Sequence, residues 1–428
     1  MYENLRGKKL LIIGADMNDI EIVKTAQTMG IYTIAMDWST DYSKSPAKLI
    51  ADEAWDMNYR DISAVAKRCI EENVDGVMAG YSEMRVLLAA QIAKAIGKPF
   101  YVTEEIMEMT RDKRRFKELC VEYGVPVPRE FCTGGKPTEK DLSEIDFPVI
   151  VKPSDYGGRI GISICENAEQ LDQAIHNALE VSEKKKVVIE QYVTGTEMCA
   201  VYNLSDGDIE LALLNDKYQL ISNNKRTVLC NATVVPSVHL DDFLKKADQP
   251  IKRFLHGIGA ENGMVFLQMI VNDEGFYVFE MGYRLNGGND CHVIEQFNHI
   301  NHMKMMISHS LTGSMGDDIK KNNPRFDGVT ITFLFYVHGG TIGEIKYSGL
   351  EDIPEIFSVT QKVFPGTKII EDGTTRQEAL VIKLHSDNMA EAVKIIRKAQ
   401  SCVTINDVNG RNMLFDSFDT DRLLNNKW

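Results

Sequence analysis

The chain has 428 residues, 44% hydrophobic and 26% charged, which are proportions of a folded globular protein and a length that calls for more than one core. Its 48 basic and 62 acidic residues leave a formal charge of −14, which argues against a general nucleic-acid binder, since such a protein needs a broad basic face to displace phosphate counterions. The start, MYENLRGKKLLIIGADMND, has too short an apolar run for a signal-peptide core or a membrane span, and the eight cysteines show no CxxC spacing, so the expectation is a cytoplasmic chain with reduced thiols, no disulfide framework and no zinc knuckle.

From Lys9 the residues read as strand KLLIIG, helix DIEIVKTAQTMG, strand IYTIAMD, helix DISAVAKRCIEEN, strand DGVMAG and helix SEMRVLLAAQIAKAIG. Alternation on that scale makes βαβ units on a parallel sheet, which binds ligands beyond the carboxyl ends of its strands. Asp37, ending the second strand, and Glu83, after the AGYSE turn, fall at those ends; a helix cap or a solvated loop position explains either acid equally well. The first turn, GADMND, lacks the later glycines of GxGxxG, which speaks against a dinucleotide fold. TRDKRRFKELCVEYGVPVPRE reads as a helix that stops at Gly124 and meets Pro126 and Pro128, marking a domain junction. Beyond it come paired strands: FPVIVKPS with GISICE, VVIEQYV with EMCAVYNL, and GMVFLQMIV with GFYVFEMGY. A last segment, from about Phe326 to Trp428, mixes strands with the helix NMAEAVKIIRKAQ.

The stretch VKPSDYGGRIGI sets Lys152 before Gly157, Gly158 and Gly161. It is no Walker loop, which would read GxxxxGK then Ser or Thr and lead from a strand into a helix. IGISIC alternates as a strand does, and the helix begins only near Asn167, with Gln170 as its capping-box partner. The loop therefore joins two antiparallel strands as a flap. Its bare N–H groups suit an anion with several oxygens, with Lys152 as a fixed charge beside them; taken alone, a flexible hairpin tip explains the glycines as well.

In VVIEQYVTGTE, Glu190 stands at a strand edge and Glu197 beyond the turn. The main chain of such an edge can read an adenine, and a carboxylate past it can accept hydrogen bonds from both ribose hydroxyls. GMVFLQMIVNDEGFYVFEMGYR reads as a hairpin. With Asp273, Glu274 and a left-handed Gly275 as a three-residue loop, paired residue numbers sum to 548 and Gln268 faces Glu280. Opposed side chains share a face about 5 Å apart at Cβ, so a buried-strand Glu and a Gln oxygen would meet there as hard ligands for Mg²⁺. Arg284 is placed to neutralise an anion beside them.

Lys113, Lys152, the glycine flap, EQYVTGTE, and LQMI with FEMGYR, taken in order, resemble the ATP-grasp superfamily over most of the chain. The order resembles the carbamoyl phosphate synthetase, biotin carboxylase and glycinamide ribonucleotide synthetase group. The resemblance implies an α/β and α+β multidomain chain: an amino-terminal parallel α/β domain over 1–110, ATP-grasp lobes over 111–200, with the flap, and 201–325, with the metal site, and a small carboxyl-terminal α+β domain over 326–428. It implies that Lys113, Lys152, Gly157, Gly158 and Gly161 bind ATP phosphates, that the main chain from Glu190 through Gln191 to Val193 receives adenine, and that Glu197 holds the ribose. Gln268 and Glu280 would hold Mg²⁺ or Mn²⁺, with Glu280 bridging two ions. Arg284 would bind the carboxylate or its acyl phosphate, with Glu83 nearby to suit an amino group. One position departs: where the family often has Asn, this chain has Gly282, and a loop role explains Asn286 and Asn289 more simply than replacement of the missing ligand.

The implied reaction couples a small-molecule carboxylate to an amine through an acyl phosphate, releasing ADP and phosphate, with no nucleic-acid or membrane partner. That chemistry needs no nucleophilic side chain, and no GxSxG, HExxH or Cys–His signature is present. His292, His299, His302 and His309 cluster, and HINH could share a helix face, but core or surface roles outrank a base or metal ligand. Two rival readings keep the ATP site: a bicarbonate-dependent carboxylase of biotin carboxylase type, and a non-catalytic ATP-binding regulatory protein. The resemblance also allows a homodimer.

Overall fold

The computed structural model describes residues 3–132, 138–154, 161–222, 225–288, 290–316 and 322–425. Its first part is the expected parallel unit: β1 (Lys9–Ile13), α1 (Asp19–Thr28), β2 (Tyr32–Asp37), β3 (Glu53–Asp56), α2 (Ile62–Glu71), β4 (Gly76–Met78) and α3 (Glu83–Ala95). The strands run parallel in the order β3-β2-β1-β4. EAWD, the short and half-polar β3, carries too little pattern to be read in advance. The single helix expected over TRDKRRFKELCVEYG is two, α4 (Glu104–Arg111) and α5 (Lys113–Glu122). Asp112 leaves helical geometry at ψ 105° and its carboxylate caps the N–H groups of Arg114 and Arg115, each at 3.0 Å. Gly124, at φ +75°, ends α5 as expected.

Next come β5 (Glu130–Cys132), α6 (Glu139–Ser143), β6 (Val149–Pro153), β7 (Ser163–Cys165), α7 (Leu171–Val181) and β8 (Val187–Gln191). They form a small sheet of order β5-β8-β6-β7 with its own core of Val149, Val151, Leu171, Ala178 and Ile189. β6 pairs with β7 as FPVIVKPS and GISICE predict. VVIEQYV does not pair with EMCAVYNL. β8 lies between β5 and β6, antiparallel to both, while β9 (Thr196–Ser205) joins another sheet. The chain crosses over at Gly195, where a Cβ would overlap the carbonyl of Val271.

That second sheet gathers β9, β10 (Asp208–Ser222) and β11 (Lys225–Val235), then, after α8 (Leu240–Lys246) and α9 (Asp248–Gly257), the hairpin β12 (Gly263–Asn272) and β13 (Gly275–Gly282). α10 (Asp290–Asn298) and α11 (His302–Thr312) follow, then β14 (Val329–Tyr336), β15 (Gly340–Lys346), β16 (Ile356–Gln361), β17 (Lys368–Ile369), β18 (Glu378–Ser386), α12 (Met389–Cys402), β19 (Thr404–Asp407) and α13 (Asp421–Leu424). The large sheet runs β13-β12-β9-β10-β11-β14-β18-β16, and β17-β15-β19 make a third small one. The expected cut at 200/201 falls inside β9, and the carboxyl-terminal segment, besides its own sheet β17-β15-β19, extends the large one, where β14 pairs with β11 (Val234↔Ile331). An open strand edge left with unpaired N–H and C=O groups is a liability that such continuation removes.

The hairpin pairs Gln268 with Glu280 as predicted, but by another route. Its turn holds two residues, since Asn272 pairs with Gly275, and a bulge at Phe279 restores the register that a three-residue loop would give. Gly275 sits at φ +155°, outside the left-handed helical value.

One continuous core joins the amino-terminal sheet to the large sheet: Leu10 to Ile13 and Val77 on one side, Leu267 and Met269 on the other, with Met303, Met306 and Ile307 of α11 between. The eight cysteines form no disulfide and six are buried. No helix among the described residues is long and apolar enough to cross a membrane.

The HINH histidines share no helix face. His299 is exposed at φ +59° between α10 and α11, and His302 opens α11. His292 pairs with Glu21, and His309 is buried. His302 is wholly buried with neither ring nitrogen hydrogen-bonded among the described residues, and burial pushes its pKa down to about 4. A group whose folded pKa lies below its unfolded value stabilises the fold fully only above the unfolded value, ~6.5 for histidine, and that contribution is lost as pH falls. Urea titrations of the wild type and His302→Leu at pH 7 and pH 4 are expected to show the wild type losing about 3 kcal/mol more over that range; parallel losses would contradict a neutral buried imidazole.

Candidate functional site

On the small sheet, Lys152 of β6 lies diagonal to Glu190 of β8, whose direct partner on β6 is Ile150. Glu130 of β5 stands directly opposite Glu190. Two carboxylates so placed repel. Lys117 of α5 resolves the conflict: its ammonium lies 2.6 Å from Glu130 and binds Glu190 as well, while the other Glu190 oxygen binds Lys152. Burial alone would push the Glu190 pKa up, but the Lys152 and Lys117 charges reverse that and hold it below the usual carboxylate range. Lys113, the first residue of α5, has its pKa pulled down by burial and by the charge of Lys152, against the opposing pull of Glu280 and Glu190. Lys113 thus stands in the fields of Lys152 on one sheet and Glu280 on the other.

β8 is an interior strand, so its main chain is committed. The N–H of Gln191 donates to Arg129 at 2.8 Å and that of Tyr192 to Pro148 at 3.0 Å. Val193 is the first residue past this ladder whose main chain could serve an adenine. Gly157 and Gly158 lie outside the described residues. Gly161, at φ +75°, packs against Pro153 and Val181, so a left-handed backbone and close packing already account for it.

Val265, Leu267 and Met269 of β12 face the core, so Gln268 projects from the other side of the large sheet. Its Nε2 donates to Glu280 Oε2 at 3.2 Å. Glu280 is exposed and Gln268 half-buried, which corrects the expectation of a buried carboxylate: this face is turned away from the core. Lys217 of β10 stands opposite Glu197 of β9. Its ammonium donates to Glu197 at 3.1 Å and to Gln268 Oε1 at 2.8 Å, while Gln219 donates to the second Glu197 oxygen at 3.0 Å. Burial pulls the Lys217 pKa down, but the Glu197 carboxylate outweighs it and the value is raised.

Arg284, just past β13, binds Glu83 at 2.6 Å, donates to the Leu285 carbonyl at 2.8 Å, and lies over the Phe266 ring at 5.0 Å. The two residues expected to hold substrate thus hold each other, across the seam between the amino-terminal and large sheets. Gly282 faces Phe266, and a Cβ there would overlap that ring. Asn286 donates to Asp290 and accepts from the Asp290 N–H, 3.2 Å away, so it caps the start of α10; Asn289 lies outside the described residues. Asp37 accepts from the N–H of Ser39 at 2.8 Å, a loop role.

The exposed Glu280 carboxylate suits a Mg²⁺ or Mn²⁺ ion that keeps several waters and phosphate oxygens. Gln268 suits it less, because its oxygen is engaged by Lys217. Among the described residues no group of three or more His, Cys, Asp or Glu could hold a metal. Lys117, Glu130, Lys217 and Gln219 escape sequence reading. The alternation DKYQ within a long apolar strand could have pointed to Lys217 and Gln219, whereas nothing local pairs Lys117 with acids on two later strands.

Removing one member of a buried ion network leaves another uncompensated, typically ~3–5 kcal/mol. Glu190→Gln is expected to lower the urea-unfolding free energy at pH 7 by about that much. Because the folded Glu190 pKa is depressed, its contribution exists above the unfolded carboxylate value and is lost as pH falls through the folded one. The wild-type and Glu190→Gln stabilities should therefore converge in acid, and a constant gap would contradict the network.

Residues 127–221 match the family model described as D-ala D-ala ligase C-terminus. Over 299 residues the chain is 26% identical to the carbamoyl phosphate synthase large chain of Clostridium beijerinckii, an alignment covering 65% of this chain and 27% of that protein; the chain thus spans about a quarter of the length of this relative. Two solved structures share its fold. The L-amino acid ligase from Bacillus licheniformis has a TM-score of 0.79 at 18% identity, over 94% of this chain and 99% of that one. The biotin carboxylase domain of the Hydrogenobacter thermophilus 2-oxoglutarate carboxylase, in complex with MgADP and bicarbonate, has a TM-score of 0.76 at 19% identity, over 95% of this chain and 91% of that one. The matched segment lies within the part of the chain that carries the resemblance read from the sequence, and the chain shares the fold of these two structures.

Proposed function

We propose that the chain is an ATP-dependent ligase that activates a small carboxylate as its acyl phosphate and couples it to an amine, releasing ADP and phosphate. The observation that carries this reading is that Lys113, at the start of α5, feels the charges of both Lys152 on the small sheet and Glu280 on the large one: two cations and an accessible carboxylate of the kind a metal triphosphate needs. A carboxylate resists nucleophiles because its own charge repels them, and phosphorylation removes that barrier. Lys152 and Lys113 offset charge on the transferring phosphoryl group, while Glu197 accepts from the ribose and Val193 marks the adenine end. Glu280 would hold a divalent ion, which would supply further charge neutralisation on the phosphate oxygens. Arg284 moves from Glu83 to the substrate carboxylate and steadies the developing acyl phosphate, and Glu83, once released, suits the ammonium of an amino acid.

ADP formation is to be measured with magnesium and a pool of amino acids, with bicarbonate, and with neither. Amine-dependent ADP formation, lowered roughly a hundredfold or more in Glu280→Ala, is the expected result. Dependence on bicarbonate alone would favour a carboxylase, and full activity in Glu280→Ala would refute the assigned site. Glu280 is the cleaner position for this test than Lys152, because Lys152→Ala also disturbs the buried network around Glu190.

A further inference from the structure

We infer that Lys217 is a resident cation of the nucleotide site, built into the sheet in place of one divalent ion, so that the chain binds its nucleotide with a single metal. This rests on the reading of the site as one for a metal nucleotide. Three observations carry it. First, the Lys217 ammonium lies between the carboxylate assigned to the ribose and the amide assigned to the metal, 3.1 Å from Glu197 and 2.8 Å from Gln268 Oε1. Two of its three N–H donors are so engaged. Second, the Gln268 amide is fixed at both ends, its oxygen by Lys217 and its Nε2 by Glu280 at 3.2 Å. Turning it over would offer the oxygen to an ion beside Glu280 but would set the NH₂ group against the Lys217 ammonium, donor against donor. Leaving it in place would have a lysine and a divalent ion share one oxygen, and like charges there repel. Third, position 282 can supply no ligand, since Gly282 lies beneath the Phe266 ring, which is buried and carries Arg284 on it.

Glu280 is then left as the carboxylate for one ion, and Lys217 supplies from the protein part of the charge that a second ion would bring. A lysine is fixed in stoichiometry and needs no free-metal concentration to be present. The same sheet positions explain how it is held: the cross-strand pair with Glu197 anchors it on β9 and β10, and Gln268 reaches it from β12.

The test is a count of ions. Manganese binding to the full chain is followed by electron paramagnetic resonance in the presence of saturating non-hydrolysable ATP analogue, with nucleotide affinity measured by calorimetry in parallel. One manganese per bound nucleotide is expected in the wild type, with Lys217→Met losing at least tenfold in nucleotide affinity and Lys217→Arg regaining most of it. Two ions per nucleotide in the wild type would overturn the inference while leaving the proposed function standing, as would unchanged affinity in Lys217→Met. The wild-type count does not depend on whether a variant folds. If the wild type binds no nucleotide at all, the reading of the site fails and takes this inference with it.

Discussion

A single carboxylate gripping two ammonium groups holds the small sheet in register. Glu190 is buried and faces Glu130 across the strands, an arrangement that cannot stand without Lys117. Lys117 comes from α5, so the same contact fastens the junction helix to the small sheet. Lys152 completes the set on the remaining Glu190 oxygen, giving two positive and two negative charges in alternation. Burying any one of these alone would be prohibitive, and together they fix where the Lys152 ammonium points. A phosphate approaching Lys152 can take it from Glu190 without stranding that carboxylate, because Lys117 remains. The network is thus both a structural clamp and a store of charge that a ligand can draw on.

Placement of the other half of the site depends on the core. α11 wedges Met303, Met306 and Ile307 between the amino-terminal sheet and β12, which sets Glu83, at the start of α3, against Arg284, just beyond β13. Their meeting follows from how two sheets dock, and it marks the seam where a ligand bearing one charge of each sign could exchange with both.

Much of this was legible beforehand where the signal is local. Period and punctuation located three of the four parallel strands and the helix stop at Gly124, and hairpin arithmetic paired Gln268 with Glu280. That pairing came out right although two assumptions behind it did not hold, since a shorter turn and the bulge at Phe279 offset each other; register along a strand is set by which face is apolar, and Leu267 and Met269 enforce it. Sheet membership was not legible. β8 and β9 are adjacent in sequence and each reads as half of a hairpin, yet long-range contacts send them to different sheets, just as β14 is drawn onto β11. Charge partners were the least visible, because Lys117 with Glu190 and Lys217 with Gln268 are separated by dozens of residues, and only the folded register brings them together.

The most direct test of the account is a crystal structure with magnesium and a non-hydrolysable ATP analogue. The account predicts the triphosphate between β6 and the β12–β13 hairpin, the Lys152 ammonium turned from Glu190 to a phosphate oxygen, and a metal on Glu280. A nucleotide bound at any other place, with the Lys152 and Glu280 side chains unmoved and facing solvent or each other's lobes, would contradict it.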